Sequence, residues 1–170
     1  MNADQLKAAQ APLKAQYLQD PESAKLTLAA RGRISTNELA VRIETGHGKV
    51  LAGLHPGTGG TGEHACSGDM LLESLAACSG VTLKAVATAM GISFRDATVT
   101  AEGDLDFRGT LGVAKDAPVG FSEIRLKFTI DTDATDEQLA TLLRLSERYC
   151  VIYQTLKQPP ILKLEKQRLA

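Results

Sequence analysis

Three cysteines, Cys66, Cys78 and Cys150, and three histidines, His47, His55 and His64, are the most reactive side chains in this 170-residue sequence. An odd number of widely spaced cysteines is not the framework of a disulfide-stapled secreted domain. In a reducing compartment they are thiols, so each is inert, metal-bound or redox-active. Cys66 precedes a helical pattern, and a helix N-terminus favours thiolate. Cys78 falls about nine residues into that pattern, beyond reach of the same dipole, where a lone cysteine on an apolar helix is more often a small core residue. Cys150 falls at a junction between two helical patterns, again near an N-terminus. His64 and Cys66 with the other two thiols could form a soft metal set, but structural zinc sites favour close pairs such as CxxC, and none is present. The expectation is no metal, with the histidines in surface turns.

Residues Gly57-Thr-Gly-Gly-Thr-Gly62 match GxGxxG between a strand-like and a helix-like segment. A dinucleotide fingerprint needs the helix to open on the glycines and an acidic residue about 20 positions on. Here the helical pattern starts several residues later, and no Asp or Glu occurs from Ser74 to Arg95. Glu63-His64 also stands where a phosphate loop needs Lys-Ser/Thr. A loop lying over a site is the better reading, and no cofactor is expected.

The elements that must position the thiols follow from periodicity. Leu6, Ala9, Leu13 and Tyr17 make a helical stripe, with Pro12 read as the first position of its helix and Pro21 as its stop. Alternation over Ala24–Ile34, Glu38–Thr45 and Lys49–Leu54 predicts an antiparallel meander, turned at Ser35-Thr36-Asn37 and Gly46-His47-Gly48. Asp69–Met90 is the longest helical pattern, with Ser67 as expected N-cap and Gly91 closing it. It is apolar or small on nearly every side, which marks a central, mostly buried helix. Asp96–Phe107 and Phe121–Asp131 read as a second strand pair. Thr135-Asp-Glu-Gln138 is a capping box opening a helix with Leu139, Leu142, Leu143 and Ser146 inward. A short helix over Val151–Lys157 and a strand over Ile161–Arg168 end the chain.

Composition bounds the function. Hydrophobic residues make up 44% and charged residues 23%, and the net charge is −1. That is an ordinary globular domain without the basic face of a nucleic-acid binder. The longest uncharged stretch falls well short of the roughly 20 residues of a membrane span. The N-terminus lacks the apolar core of a signal peptide. The expectation is a cytoplasmic α+β protein binding neither nucleic acid nor membrane, with a helical arm over residues 1–22 and one domain over residues 23–170.

Two segments carry a resemblance. Ser67-Gly-Asp-Met-Leu-Leu-Glu-Ser-Leu-Ala-Ala-Cys78-Ser-Gly-Val-Thr-Leu resembles the central-helix motif of the OsmC/Ohr family. Ser146-Glu-Arg-Tyr-Cys150-Val-Ile-Tyr-Gln-Thr-Leu resembles its second-cysteine helix, typically Cys-Pro-Val-x-Gln-x-Leu, with Val151 in the proline position and Gln154 and Leu156 matching. The Tyr149-Cys150 pair is closer to the divergent OsmC-like branch. The resemblance covers roughly Ala24 to the end. It implies an α+β OsmC-like fold, antiparallel sheets wrapping two central helices in an intertwined homodimer. It also implies a thiol peroxidase: Cys78 attacks an organic hydroperoxide, Cys150 resolves the sulfenic acid to a disulfide, and a dithiol such as a lipoyl group reduces it. The alternative is a non-enzymatic dimer that senses redox state or binds an apolar ligand.

Two departures shape the expected chemistry. The hydroperoxide-resistance branch places a glutamate ten residues before its first cysteine, where this chain has Gly68; the nearest carboxylate is Asp69. It also uses an arginine after its first strand, and Arg33 is the nearest equivalent. A buried thiol without a cation is held protonated by desolvation. The expectation is therefore a raised Cys78 pKa and weak peroxidase activity that rises with pH unless Arg33 or another cation reaches Cys78, with Asp69 and Arg33 as supporting residues.

Overall fold

The computed structural model describes residues 1–46 and 48–168, so the expected turn at His47 lies outside the described residues. Helix α1 (Ala3–Gln19) leads, then strands β1 (Arg31–Ile34), β2 (Ala40–Thr45), β3 (Gly48–Gly53) and β4 (Ala65–Cys66). Helix α2 (Ser67–Met90), strand β5 (Asp96–Asp104), the single turn α3 (Phe107–Thr110) and strand β6 (Glu123–Asp131) follow, and α4 (Asp136–Tyr149) and α5 (Val151–Lys157) close the sequence of elements.

The expected meander forms in register, with Arg31 opposite Glu44, Ile34 opposite Val41, and Ala40 opposite Gly53. One addition was not expected: β4 pairs with β3 in parallel, Ala52 with Ala65 and Gly53 with Cys66, so the glycine-rich segment returns to the sheet before α2 begins. β5 and β6 form a separate antiparallel pair, Asp96 opposite Asp131 through Asp104 opposite Glu123. On β6, Ile124, Leu126, Phe128 and Ile130 turn inward, while the residues between them are exposed.

Several boundaries differ from the sequence reading. Pro12 lies inside α1, because Asn2 and Gln5 form a capping box that starts the helix upstream. That interior proline removes one helical hydrogen bond. Alternation over Ala24–Ile34 gives a strand only at Arg31–Ile34, the stretch that β2 faces; Pro21–Ala24 form a 3-10 turn instead. Ile161–Arg168, expected as a strand, has no sheet partner among the described residues and is exposed throughout. The N-cap of α2 is Cys66 rather than Ser67. By length and composition alone, α2 is also long and apolar enough to cross a membrane, which counting only uncharged residues had missed because Glu73 and Lys84 interrupt the count.

The core lies where α2 meets α4 and the β5–β6 pair. Leu83, Ala87, Ile92 and Leu142 are buried there, packed by Val86, Phe94, Phe128, Ile130 and Leu139. The inward line on α2 is Leu75, Ser79, Leu83 and Ala87, spaced by four. Helix α4 opens on the expected capping box of Thr135 and Gln138, and Leu142 and Ser146 are its buried residues. Helix α1 buries no residue, though it touches α2. Much apolar surface is left uncovered by the single chain: β1 is exposed along its length, and Leu26, Leu28, Leu39, Ile161 and Leu162 are all at least 80% exposed.

Candidate functional site

The α4–α5 junction positions one thiol. Cys150 ends α4, its N–H donating to the Ser146 carbonyl at 3.0 Å. The same residue, in extended conformation, is the N-cap of α5, and its Sγ accepts the N–H of Tyr153 at 3.5 Å. It is 1% exposed. The break between the helices is held by side chains. Gln154 Nε2 donates to the Glu147 carbonyl at 2.8 Å, and Lys157 pairs with the Glu147 carboxylate at 2.6 Å. That gives Gln154, one of the residues carrying the family resemblance, a physical role: it fastens α5 to the end of α4.

The first turn of α5 is brought against α2 at Cys78. Burial pushes the Cys78 thiol up, the largest single effect on it. The Ile152 N–H, the Cys150 side chain, the Val151 N–H and the Thr82 side chain each favour the thiolate, and together they hold Cys78 below the ordinary thiol value. The expected raised pKa is therefore corrected. Its reasoning looked only for a cation and for the dipole of α2 itself. The groups that act are N–H donors at the start of a different helix, where the first turn leaves its amides without intrahelical partners. Val151 bears on this directly: a proline in its position would carry no N–H to donate.

Cys78 is half-buried, and all three cysteines are free thiols. Within one chain the fold thus brings Cys78 and Cys150 together and leaves the other named residues elsewhere. Asp69 is exposed in the first turn of α2, nine residues before Cys78, a rise of about 13 Å along the helix. Arg33 stands on exposed β1 opposite Arg42 and is not among the groups acting on Cys78. Gly68 faces Cys66 and Phe121. Cys66 caps α2 without a side-chain hydrogen bond.

The glycine-rich segment is shaped by packing. Gly59 has φ 91°, and a Cβ on Gly60 would lie 1.8 Å from the Leu54 carbonyl oxygen. Four residues, Glu63 to Cys66, separate Gly62 from the first residue of α2, so the glycines do not open the helix. Two histidines have partners that the sequence did not reveal. His55 Nδ1 accepts the Gly57 N–H at 2.9 Å and its ring stacks on Phe107, with centroids 4.9 Å apart. His64 Nε2 lies 3.3 Å from a Glu38 carboxylate oxygen. Among the described residues no group of three or more His, Cys, Asp or Glu is placed to hold a metal.

Residue Ser79, one step past Cys78, was not singled out by type or spacing. It is 1% exposed, and its Oγ lies 3.3 Å from Cys150 Sγ. A cavity of about 390 Å³ opens beside this pair, lined also by Leu126, Phe128, Arg144, Glu147 and Tyr153. A second, more apolar hollow of about 560 Å³ lies between α2, β6 and α5, walled by Leu71, Leu75, Phe121, Ile124 and Leu156.

The family model described as OsmC-like protein matches residues 60–165, a span that includes both thiols and the elements that hold them. The chain belongs to the OsmC-like family. Solved structures share the fold. An OsmC-like protein from Mycoplasma pneumoniae superposes with TM-score 0.66 at 16% identity, covering 79% of this chain and 90% of that one. An organic hydroperoxide resistance protein from Elizabethkingia anophelis gives TM-score 0.61 at 17% identity, covering 79% and 92%. The organic hydroperoxide resistance protein of Bacillus subtilis gives 0.52 at 19% identity, covering 79% and 93%. No curated protein matches the sequence. In this OsmC-like chain α2 is therefore the central helix of a known mixed α+β fold, with the apolar length such a position requires.

Proposed function

We propose that this OsmC-like protein is a cysteine-based peroxidase for organic hydroperoxides, with Cys78 as attacking thiolate and Cys150 as resolving thiol. The observation that carries the proposal is the Cys78 thiol, favoured as thiolate by the Ile152 and Val151 N–H groups with Cys150 beside it. The hydroperoxide-resistance relatives supply the substrate class. In the first step the Cys78 sulfur attacks the outer peroxide oxygen. The O–O bond breaks, the alkoxide leaves and takes a proton, and Cys78 becomes a sulfenic acid. In the second step the Cys150 sulfur displaces hydroxide, which leaves as water, and a disulfide forms. A dithiol, such as a lipoyl group, then reduces it by two exchanges and is itself oxidised to a disulfide.

The working unit in this proposal is a homodimer. Its support is the exposed apolar side chains of Ile34 on β1, Leu26 and Leu28 before it, and Ile161 and Leu162 in the C-terminal segment, which a second copy would cover. The proposed division is a helical arm over residues 1–22 and the OsmC-like domain over residues 23–170. A second reading, a non-enzymatic apolar-ligand binder, is favoured by the hollow beside Leu71 and Phe121.

The test treats the full chain with a small excess of cumene hydroperoxide and maps the products by mass spectrometry. A Cys78–Cys150 link, absent in Cys78→Ser and intact in Cys66→Ser, together with turnover supported by dihydrolipoamide, is expected. A link through Cys66 would overturn the residue assignment. No thiol oxidation at all would leave the ligand-binding reading.

A further inference from the structure

Three hydroxyls on α2 and α4 behave alike, while Thr82 on α2 favours the Cys78 thiolate. Ser74, Thr88 and Ser146 each donate back to the carbonyl four residues earlier, at 2.8 Å, the usual fate of a hydroxyl within a helix. Ser79 differs. It sits on the buried line of α2, and its hydroxyl reaches across to the Cys150 sulfur at 3.3 Å. A buried hydroxyl needs a partner, and this one has a sulfur. The same sulfur takes the Tyr153 N–H from a second direction.

We infer that Ser79 is a positioning residue, whose hydroxyl holds the Cys150 sulfur in place for its attack on oxidised Cys78. The inference rests on the peroxidase reading and adds a residue to its second step. Cys78 and Ser79 are neighbours on one helix, so the residue that is oxidised and the residue that places the resolving sulfur move as a unit. Cys150 hangs at the hinge between α4 and α5, where backbone geometry alone leaves its side chain free to turn about χ1. The Ser79 hydroxyl and the Tyr153 N–H fix that rotation. From that position the Cys150 sulfur displaces hydroxide from the sulfenic sulfur, and the departing hydroxide is protonated to water.

Closure competes with over-oxidation: a sulfenic acid not captured by Cys150 reacts with a second peroxide to sulfinic acid. The test measures that partition in the full chain over a range of cumene hydroperoxide concentrations, by mass spectrometry of the Cys78 peptide. Losing one neutral hydrogen bond predicts closure slowed roughly three- to tenfold in Ser79→Ala. The peroxide concentration giving equal disulfide and sulfinate falls by the same factor. Ser79→Thr, which restores the hydroxyl, returns the partition toward wild type. Ser146→Ala, the removal of an equally buried hydroxyl bonded only to the Leu142 carbonyl, leaves it unchanged. In a Cys150→Ser background, where closure cannot compete, capture of the first-step sulfenic acid by dimedone proceeds at the same rate with and without Ser79→Ala. The inference is overturned if Ser79→Ala partitions like wild type, if Ser146→Ala shifts the partition as much, or if Ser79→Thr fails to restore it. A wild-type protein that forms no Cys78–Cys150 disulfide overturns the peroxidase reading as well, which separates the two failures.

Discussion

The backbone N–H of Ile152 favours the thiolate of Cys78 against the cost of its burial, so the first turn of one short helix acts on a charge carried by the middle of another. Two sequence positions 74 residues apart thereby form one electrostatic unit. The donors are peptide groups, present whatever the side chain, and the fold supplies them by ending α4 at Cys150 and restarting the helix at Val151.

The pH dependence of Cys78 follows. Burial raises the Cys78 thiol, but its N–H and hydroxyl neighbours hold it below the ordinary thiol value, so its alkylation by iodoacetamide in Cys66→Ser keeps its full rate to lower pH than that of an unperturbed thiol. Peroxidase activity likewise levels off early rather than climbing through the alkaline range. The linkage has a definite sign. A depressed folded pKa contributes stability that is fully present above the unfolded value and is lost as pH falls through the folded one. The stability difference between wild type and Cys78→Ser in urea titrations should therefore grow with pH across that window. An alkylation midpoint at or above that of free cysteine would contradict the assignment.

Val151→Pro removes one of the donors with little steric consequence. Position 151 is the first residue of α5, where proline is well accommodated, and Cys150 before it has φ −75° and ψ 109°, the extended geometry that a following proline prefers. The variant should fold normally by circular dichroism, while the alkylation midpoint of Cys78 moves upward. An unchanged midpoint would show that the Ile152 N–H and the Cys150 side chain suffice.

Leu142→Ala tests the packing that holds α4 on α2. Leu142 is fully buried in the cluster with Leu83 and Ala87. Truncation to Ala should cost about 2–5 kcal/mol, read as a lower denaturation midpoint. Because α4 carries the Cys150 hinge, disulfide closure should slow at temperatures where the variant is still folded. A loss under 1 kcal/mol would mean that the cavity collapses or that α4 is held from elsewhere.

Gly60→Ala should disturb the glycine-rich segment without reaching the thiols. The added Cβ would meet the Leu54 carbonyl at 1.8 Å, so the backbone must move. The expected result is a lower melting temperature with the Cys78 alkylation profile unchanged. A shifted profile would tie this segment to the thiol site.

Much of this was legible in the sequence, and the exceptions share a cause. The apolar helical pattern running to Met90, the Thr135 capping box and the alternation of β6 are local patterns, and each forms as read, although the buried line of α2 through Leu75, Ser79, Leu83 and Ala87 was not singled out. Misreadings arose where the outcome depends on a neighbour distant in sequence. Ala24–Ala30 and Ile161–Arg168 alternate like strands, but pairing needs a second strand and none among the described residues faces them. The short β3–β4 pairing depends on the path of the intervening loop. The same holds for the candidate site. The two thiols were found by the motifs around them, whereas the N–H donors and Ser79 carry no signal of type or spacing and become visible only once α5 is docked on α2.

The spacing of four along Leu75, Ser79, Leu83 and Ala87 has a geometric corollary. A helix turns 100° per residue, so each step of four advances the line by about 40° around the axis. The buried line is thus a slanting ridge, and ridges of this kind seat best against helices that cross obliquely. Oblique helices meet at a point and diverge on either side. On this ridge Ser79 reaches the Cys150 sulfur while Leu83 and Ala87 meet Leu142, so one slanting line of α2 carries both the contact to the second thiol and the packing that holds its helix.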